Sequence, residues 1–143
     1  MTVRQASCVV IEGRAVLIEG EPGIGKSSLA LALMDRGAQL VGDDGVELEV
    51  RGGALFARPH PALRGLLEVR NLGILPFPVC DGASVALVVR FDPAAERFIE
   101  RAEVCEIAGV KLPLIRLWLD APILPLKVEL ALRHYGLPHS RTG

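Results

Sequence analysis

The chain has 143 residues, half of them apolar, which is enough for one domain with its own core. Its 16 basic and 17 acidic residues leave a net charge of −1, so the composition carries no polybasic footprint for nucleic acid or an anionic membrane surface. The apolar run VALVVRF from Val85 is too short to cross a bilayer, and the N-terminus lacks the basic flank, apolar stretch and cleavage site of a leader. The expectation is a single cytoplasmic domain over 1–143. The three cysteines, Cys8, Cys80 and Cys105, have neither zinc nor redox spacing and read as free, mostly buried thiols.

In chain order, SCVVIE and AVLIE read as two strands joined by a tight turn at Gly13-Arg14. The second strand runs into GEPGIGKSS, residues 20–28. A helix follows over Lys26 to Arg36, apolar on nearly every side and stopped by Gly37. AQLVGDD returns as a short strand expected beside the glycine loop. VELEVRGGALFARP alternates on both sides of Gly52-Gly53, the signal of a second hairpin. Beyond Pro59 the pattern is irregular until ASVALVVRFD, an unbroken apolar run expected to be the central strand. A last helix opens near Pro125 and stops at Gly136, with Leu126, Leu130, Ala131 and Tyr135 on one face, before a frayed tail, LPHSRTG. The fold class is α/β: a phosphate loop between a strand and a buried helix, in a mixed sheet with hairpins, not a plain alternating βαβ array.

The loop fits the spacing Gly, four residues, Gly-Lys-Ser. Over Gly20, Glu21, Pro22, Gly23, Ile24, Gly25, Lys26, Ser27 and Ser28 the backbone can come close to a phosphate. The N–H groups there, and the positive end of the next helix, then converge on it. Lys26 would reach the β- and γ-phosphates of a nucleotide, and Ser27 would place its hydroxyl on magnesium. Pro22 removes one N–H from the loop and stiffens it. Asp43 and Asp44 follow Lys26 by 17 and 18 residues. A carboxylate this near the loop can take the proton of an attacking hydroxyl and help hold the metal. The alternative is that one or both cap the turn before Gly45. In LLEVRNLGILPFP, Glu68 and Arg70 share a face of an extended chain, either to divide metal and phosphate between them or as a simple ion pair.

Three segments, VLIEGEPGIGKSSLALALMDRG, AQLVGDDGVEL and LLEVRNLGIL, together resemble the HPr kinase/phosphorylase family in its catalytic, C-terminal-type domain, in the short form found in alphaproteobacteria. The resemblance implies a fold like that of HPr kinase and phosphoenolpyruvate carboxykinase. It also implies transfer of phosphate from ATP, with Mg2+, to a serine of an HPr-like phosphocarrier protein, and the reverse phosphorolysis. It makes Asp44 the base for phosphorylation and the acid for the reverse step, supported by Asp43. Lys26 would bind the transferring phosphate, Ser27 with Glu68 would hold Mg2+, and Arg70 would serve the reverse reaction. A homo-oligomer, hexameric in the family, is implied as well. The chain departs from the family where Gln5 stands for a histidine, Pro22 for a loop serine, Ser28 for an acid and Asn71 for the signature glycine. It also lacks a C-terminal arginine-rich motif, with Arg97 and Arg101 as candidates for a further family arginine. Two other readings stay open: a small-molecule kinase of the shikimate or gluconate type, and a nucleotide-binding regulatory module without catalysis.

Overall fold

Two-residue turns with left-handed backbone organise the first half of the chain. The computed structural model describes residues 2–119 and 122–139. In it β1 (Thr2–Arg4) leads to β2 (Ser7–Ile11), which pairs antiparallel with β3 (Arg14–Glu19). The turn residues are Glu12 and Gly13, at φ 50° and 82°, as a tight link between right-twisting strands requires. The turn thus lies one residue earlier than Gly13-Arg14.

β3 feeds the glycine loop, and α1 (Lys26–Asp35) starts directly after Gly25. Gly37, at φ 108°, ends the helix: its N–H donates to Met34 O and that of Ala38 to Leu33 O, both at 3.0 Å. β4 (Gln39–Gly42) then pairs with β2. Its end lies beside the glycine loop, as expected, although within the sheet it is separated from β3 by β2, and β3 has β9 (Ala83–Phe91) on its other edge. The second hairpin, β5 (Val46–Arg51) and β6 (Ala54–Pro59), turns at Gly52-Gly53 as read from the sequence.

The stretch after Pro59 is more ordered than its composition suggests. A short 3-10 turn, Pro61–Leu63, precedes a two-stranded ribbon of β7 (Leu66–Val69) and β8 (Gly73–Pro76). The ribbon stands apart from the main sheet, and the Phe77 N–H closes its base on Gly65 O at 2.7 Å. β9 is the central strand, as expected. It runs parallel to β3 and to β11 (Val110–Leu117), and its first residues pair with β6. β10 (Glu103–Ile107) pairs with β11 and was not legible in the sequence.

Side-chain alternation divides the core into two layers. Val16, Ile18 and Val89 face α1 and α2 (Leu124–Tyr135), whereas Ala15, Leu17 and Val88 pack against β5 and β6 residues such as Leu48 and Leu55. Leu67 of β7 also enters the helical layer, so α1 has apolar neighbours on several sides. That is why its sequence shows almost no polar face. α2 buries Leu124, Val128, Ala131 and Leu132, a stripe at i, i+4, i+7 and i+8. Leu126 and Leu130 face solvent, which corrects the face expected for this helix, while Tyr135 packs at the core's edge.

The tail is tied down through His139. The Leu137 N–H donates to Ala86 O at 2.9 Å, Arg14 donates to Leu137 O at 3.1 Å, and His139 Nε2 lies 2.6 Å from Glu12 O. The remainder of the expected frayed segment, 140–143, lies outside the described residues. Cys8 is buried, and Cys80 and Cys105 are half-buried; all three are free thiols. Burial pushes the Cys8 thiol far up and keeps it in the unreactive form. Among the described residues no helix is long and apolar enough to cross a membrane.

The β10–β11 turn places Ala108 at φ 52° before Gly109, a conformation that is unfavourable for alanine and natural for asparagine. Ala108→Asn should therefore raise the free energy of unfolding by about 1 kcal/mol, measured by urea denaturation.

Candidate functional site

The site forms where the end of β3, the end of β4 and the β7–β8 ribbon meet the first turn of α1. At its centre is the carboxylate of Asp43, which is 7% exposed. Oδ1 accepts hydrogen bonds from Ser7 Oγ at 2.6 Å and Ser27 Oγ at 2.8 Å. Oδ2 lies 2.9 Å from the same Ser27 hydroxyl and accepts the Glu68 N–H at 3.3 Å. One carboxylate thus joins β2, β4, α1 and β7. None of these bonds is a turn cap, which settles that alternative for Asp43. A serine hydroxyl has one proton and two lone pairs. Because the Ser27 hydroxyl donates its hydrogen bond to Asp43, its lone pairs are left for a cation or a phosphate-bound partner.

Asp44 has a different environment. It lies just past β4 at φ 61° and is exposed. Aspartate is among the few non-glycine residues that tolerate this backbone, and the kink separates its side chain from that of Asp43. A cleft of about 210 Å³ is lined by Pro22, Gly23, Gly25, Lys26, Ser27 and Ser28 of the loop and by Asp43, Asp44, Glu68 and Arg70 from the other segments. Gly20 contributes through its carbonyl, which accepts Lys26 Nζ at 2.7 Å and holds that ammonium over the loop. Glu21 and Ile24 shape the loop without lining the cleft: the Ile24 N–H donates to Glu21 O at 3.2 Å, and the Ile24 side chain packs on the core.

Glu68 and Arg70 reach the cleft because strand alternation sends Leu67 and Val69 into the core. They do not pair with each other; Arg70 Nη2 donates to Gly23 O. The oxygen donors available in the cleft, the Ser27 hydroxyl and the Asp43, Asp44 and Glu68 carboxylates, are hard ligands that fit Mg2+. Among the described residues no cluster of three His, Cys, Asp or Glu is close enough to hold a metal alone. The set therefore fits an ion shared with phosphate oxygens rather than a closed protein cage.

Residues 1–122 match the model of the HPr Serine kinase C-terminal domain. The chain belongs to this family. It is 38% identical over 122 residues to an HPr kinase/phosphorylase of Streptococcus thermophilus, covering 76% of this chain and 40% of that protein. With the HPr kinase/phosphorylase of Streptococcus sanguinis it shares 36% identity over 120 residues, covering 75% of this chain and 39% of that protein. The chain thus spans about two fifths of the length of these curated relatives. A solved structure, of the Hpr(Ser) kinase/phosphatase from Coxiella burnetii, superposes with a TM-score of 0.82 at 29% identity, covering 93% of this chain and 95% of that one. The fold is that of the HPr kinase group.

Family membership gives one departure a physical reason. Asn71, in place of the signature glycine, has φ 71°, and asparagine tolerates this region better than most residues. The turn that glycine would make is therefore kept. Gln5 is exposed between β1 and β2, and neither Arg97 nor Arg101 lines the phosphate cleft.

Two participants were missed in the sequence. Ser7 is one; its signal was a polar residue inside an apolar strand. The other is Glu19, the last residue of β3, 8% exposed and bonded to Arg4 of β1 and to Arg90 of β9, the latter at 2.8 Å. Burial alone would raise its pKa, but the hydrogen bonds and charges of Arg4 and Arg90 outweigh this and hold the carboxyl below its ordinary value. The pair of arginines fixes the strand that delivers the loop.

Ser7→Ala removes a buried donor from a carboxylate and should lower the free energy of unfolding by about 2 kcal/mol, with Ser7→Thr restoring most of it, by urea denaturation. Glu19 gives a pH-dependent counterpart. Its folded pKa lies below the ordinary 4.5, so its stabilisation is full above that value and is lost as pH falls toward the folded pKa. Between about pH 5 and pH 3 the wild type should lose more stability than Glu19→Gln, measured as unfolding midpoints across that range.

Proposed function

We propose that the chain is the catalytic domain of a protein serine kinase that uses ATP and Mg2+ to phosphorylate an HPr-like phosphocarrier protein. In this reading residues 1–143 form one cytoplasmic domain that assembles into a homo-oligomer. The observation that carries the proposal is the meeting, in one cleft, of Lys26 and Ser27 with Asp44 and Glu68, which come from three separate segments. The names of the Streptococcus and Coxiella relatives add support for the substrate.

The residues divide the chemistry by their environments. Lys26, held by Gly20 O, presents a fixed positive charge to the terminal phosphates. Ser27 turns its lone pairs to the cleft because its hydroxyl donates to Asp43, and Glu68 faces the same space. Ser27 and Glu68 would hold magnesium, which would supply positive charge against the negative charge that develops during transfer. Asp43, with both oxygens already engaged, positions Ser27. Asp44 is exposed at the cleft and takes the proton of the incoming serine hydroxyl. In the reverse direction an oxygen of inorganic phosphate attacks the phosphoserine phosphorus, the bond from phosphorus to the serine oxygen breaks as Asp44 gives that oxygen its proton, and pyrophosphate leaves, with Arg70 near the loop to bind phosphate.

Asp44→Asn should lower the transfer of label from γ-labelled ATP to an HPr-like carrier by about a thousandfold or more, while the Kd for ATP changes less than about threefold. Equal loss of transfer and affinity would overturn the base role. Absence of transfer by the wild-type protein, with phosphate omitted and several carriers tried, would overturn the kinase reading itself.

A further inference from the structure

The irregular segment between β9 and β10 has a symmetry of its own. Residues 95–102 read Ala-Glu-Arg-Phe-Ile-Glu-Arg-Ala. Laid antiparallel on a copy of itself about the Phe98–Ile99 peptide bond, the segment sets Glu96 against Arg101, Arg97 against Glu100, Phe98 against Ile99 and Ala95 against Ala102. Every pair is matched in charge or in apolar character. Each pair also occurs twice, as a two-fold contact between identical surfaces requires.

The fold presents this segment outward. All residues from Glu96 to Arg101 are exposed, Phe98 at 81%. Arg116 is tied to Asp92 and Glu103, but among the described residues Glu96, Arg97, Glu100 and Arg101 form no ion pair. A charge run that served only to solvate the surface gains nothing from a phenylalanine at its centre. Beside the segment is a cavity of about 650 Å³, with Ala95, Leu114 and Ile115 as its buried apolar floor. Glu96, Glu100 and Arg101 stand at its rim with Phe98. A knob next to a hole is self-complementary under a two-fold axis: the ring of each copy enters the cavity of the other, and the rim charges pair around it. Removing the ring from water stabilises the contact, and the charges set its register.

We propose that residues 95–102 form a two-fold contact between copies of this chain. The proposal rests on the homo-oligomer reading and gives that assembly a surface. It is independent of the kinase chemistry, since the cavity and the phosphate cleft have no lining residue in common. The occupant is a second copy, and not a different protein, because the segment itself holds the complement of each of its charges.

Sedimentation velocity of the full chain, up to about 100 μM, tests the contact. The wild type should be an assembly with an even number of copies. Phe98→Ala should weaken assembly about thirtyfold or more. Arg101→Glu sets two acidic pairs in each contact and Glu96→Arg two basic ones, so each should weaken assembly about tenfold or more. Two further measurements separate a lost contact from a lost fold. The double variant Glu96→Arg/Arg101→Glu should assemble like the wild type, and an equimolar mixture of the two single variants should form a mixed contact that neither forms alone. A wild type that is monomeric throughout would overturn the contact and the homo-oligomer together. An odd-numbered assembly, or one indifferent to Phe98→Ala and to both reversals, would overturn the contact and leave the homo-oligomer standing. Single variants that neither the double swap nor the mixture restores would overturn the proposed pairing.

Discussion

The carboxylate of Asp43 sets the geometry on which the cleft depends. A buried carboxylate must have its oxygens satisfied, and here the donors come from a strand, from the first turn of a helix and from the backbone of a ribbon. Satisfying it brings together elements that sequence separates by up to 61 positions, Ser7 to Glu68. The same bonds fix the rotamer of Ser27. The cost of burying the charge and the orientation of the cleft's hydroxyl are therefore one physical fact.

A second buried acid does corresponding work on the other side of the sheet. Glu19 ends β3 between two arginines, and the next residue begins the loop. A strand end that frays would move every N–H of that loop. The Arg4-Glu19-Arg90 group resists this, but it is a positioning device outside the cleft, with no lining residue in common with it. The two acids differ in what they secure: Glu19 holds the backbone before the loop, and Asp43 holds the side chain after it.

Local rules made much of this legible. The glycine loop, the helix with its Gly37 stop and the hairpins at Gly13 and Gly52-Gly53 each follow from short-range backbone preferences, and β9 from its unbroken apolar run. What escaped depended on longer range. The sequence placed β4 beside the loop but carried no sign that β2 separates it from β3 or that β9, far along the chain, takes the other edge of β3. Ser7 could not be connected with Asp43 without that β2–β4 pairing. The β7–β8 ribbon was hidden by strands of four residues and by Asn71 in place of a glycine turn. The face of α2 was misjudged by counting leucines: the stripe begins at Leu124, and Leu126 and Leu130 lie off it. Lys26, Ser27, Asp43, Asp44, Glu68 and Arg70 were legible as candidates because they stand in short motifs, and all six line one cleft.

The ribbon carrying Glu68 and Arg70 has its own hydrogen-bond ladder and no strand pairing with the main sheet. Its attachment includes Leu67, Val69 and Phe77 against the core, the closure at Gly65 and Phe77, and the polar contacts to Asp43 and Gly23. Such an element can open without melting the nine-stranded sheet. One polar contact runs from the ribbon to the loop, Arg70 to Gly23 O, and one to the end of β4, the Glu68 N–H to Asp43, and both are made by residues that face the cleft. The ribbon thus joins the domain through side chains and single hydrogen bonds, where the main sheet is joined by continuous ladders.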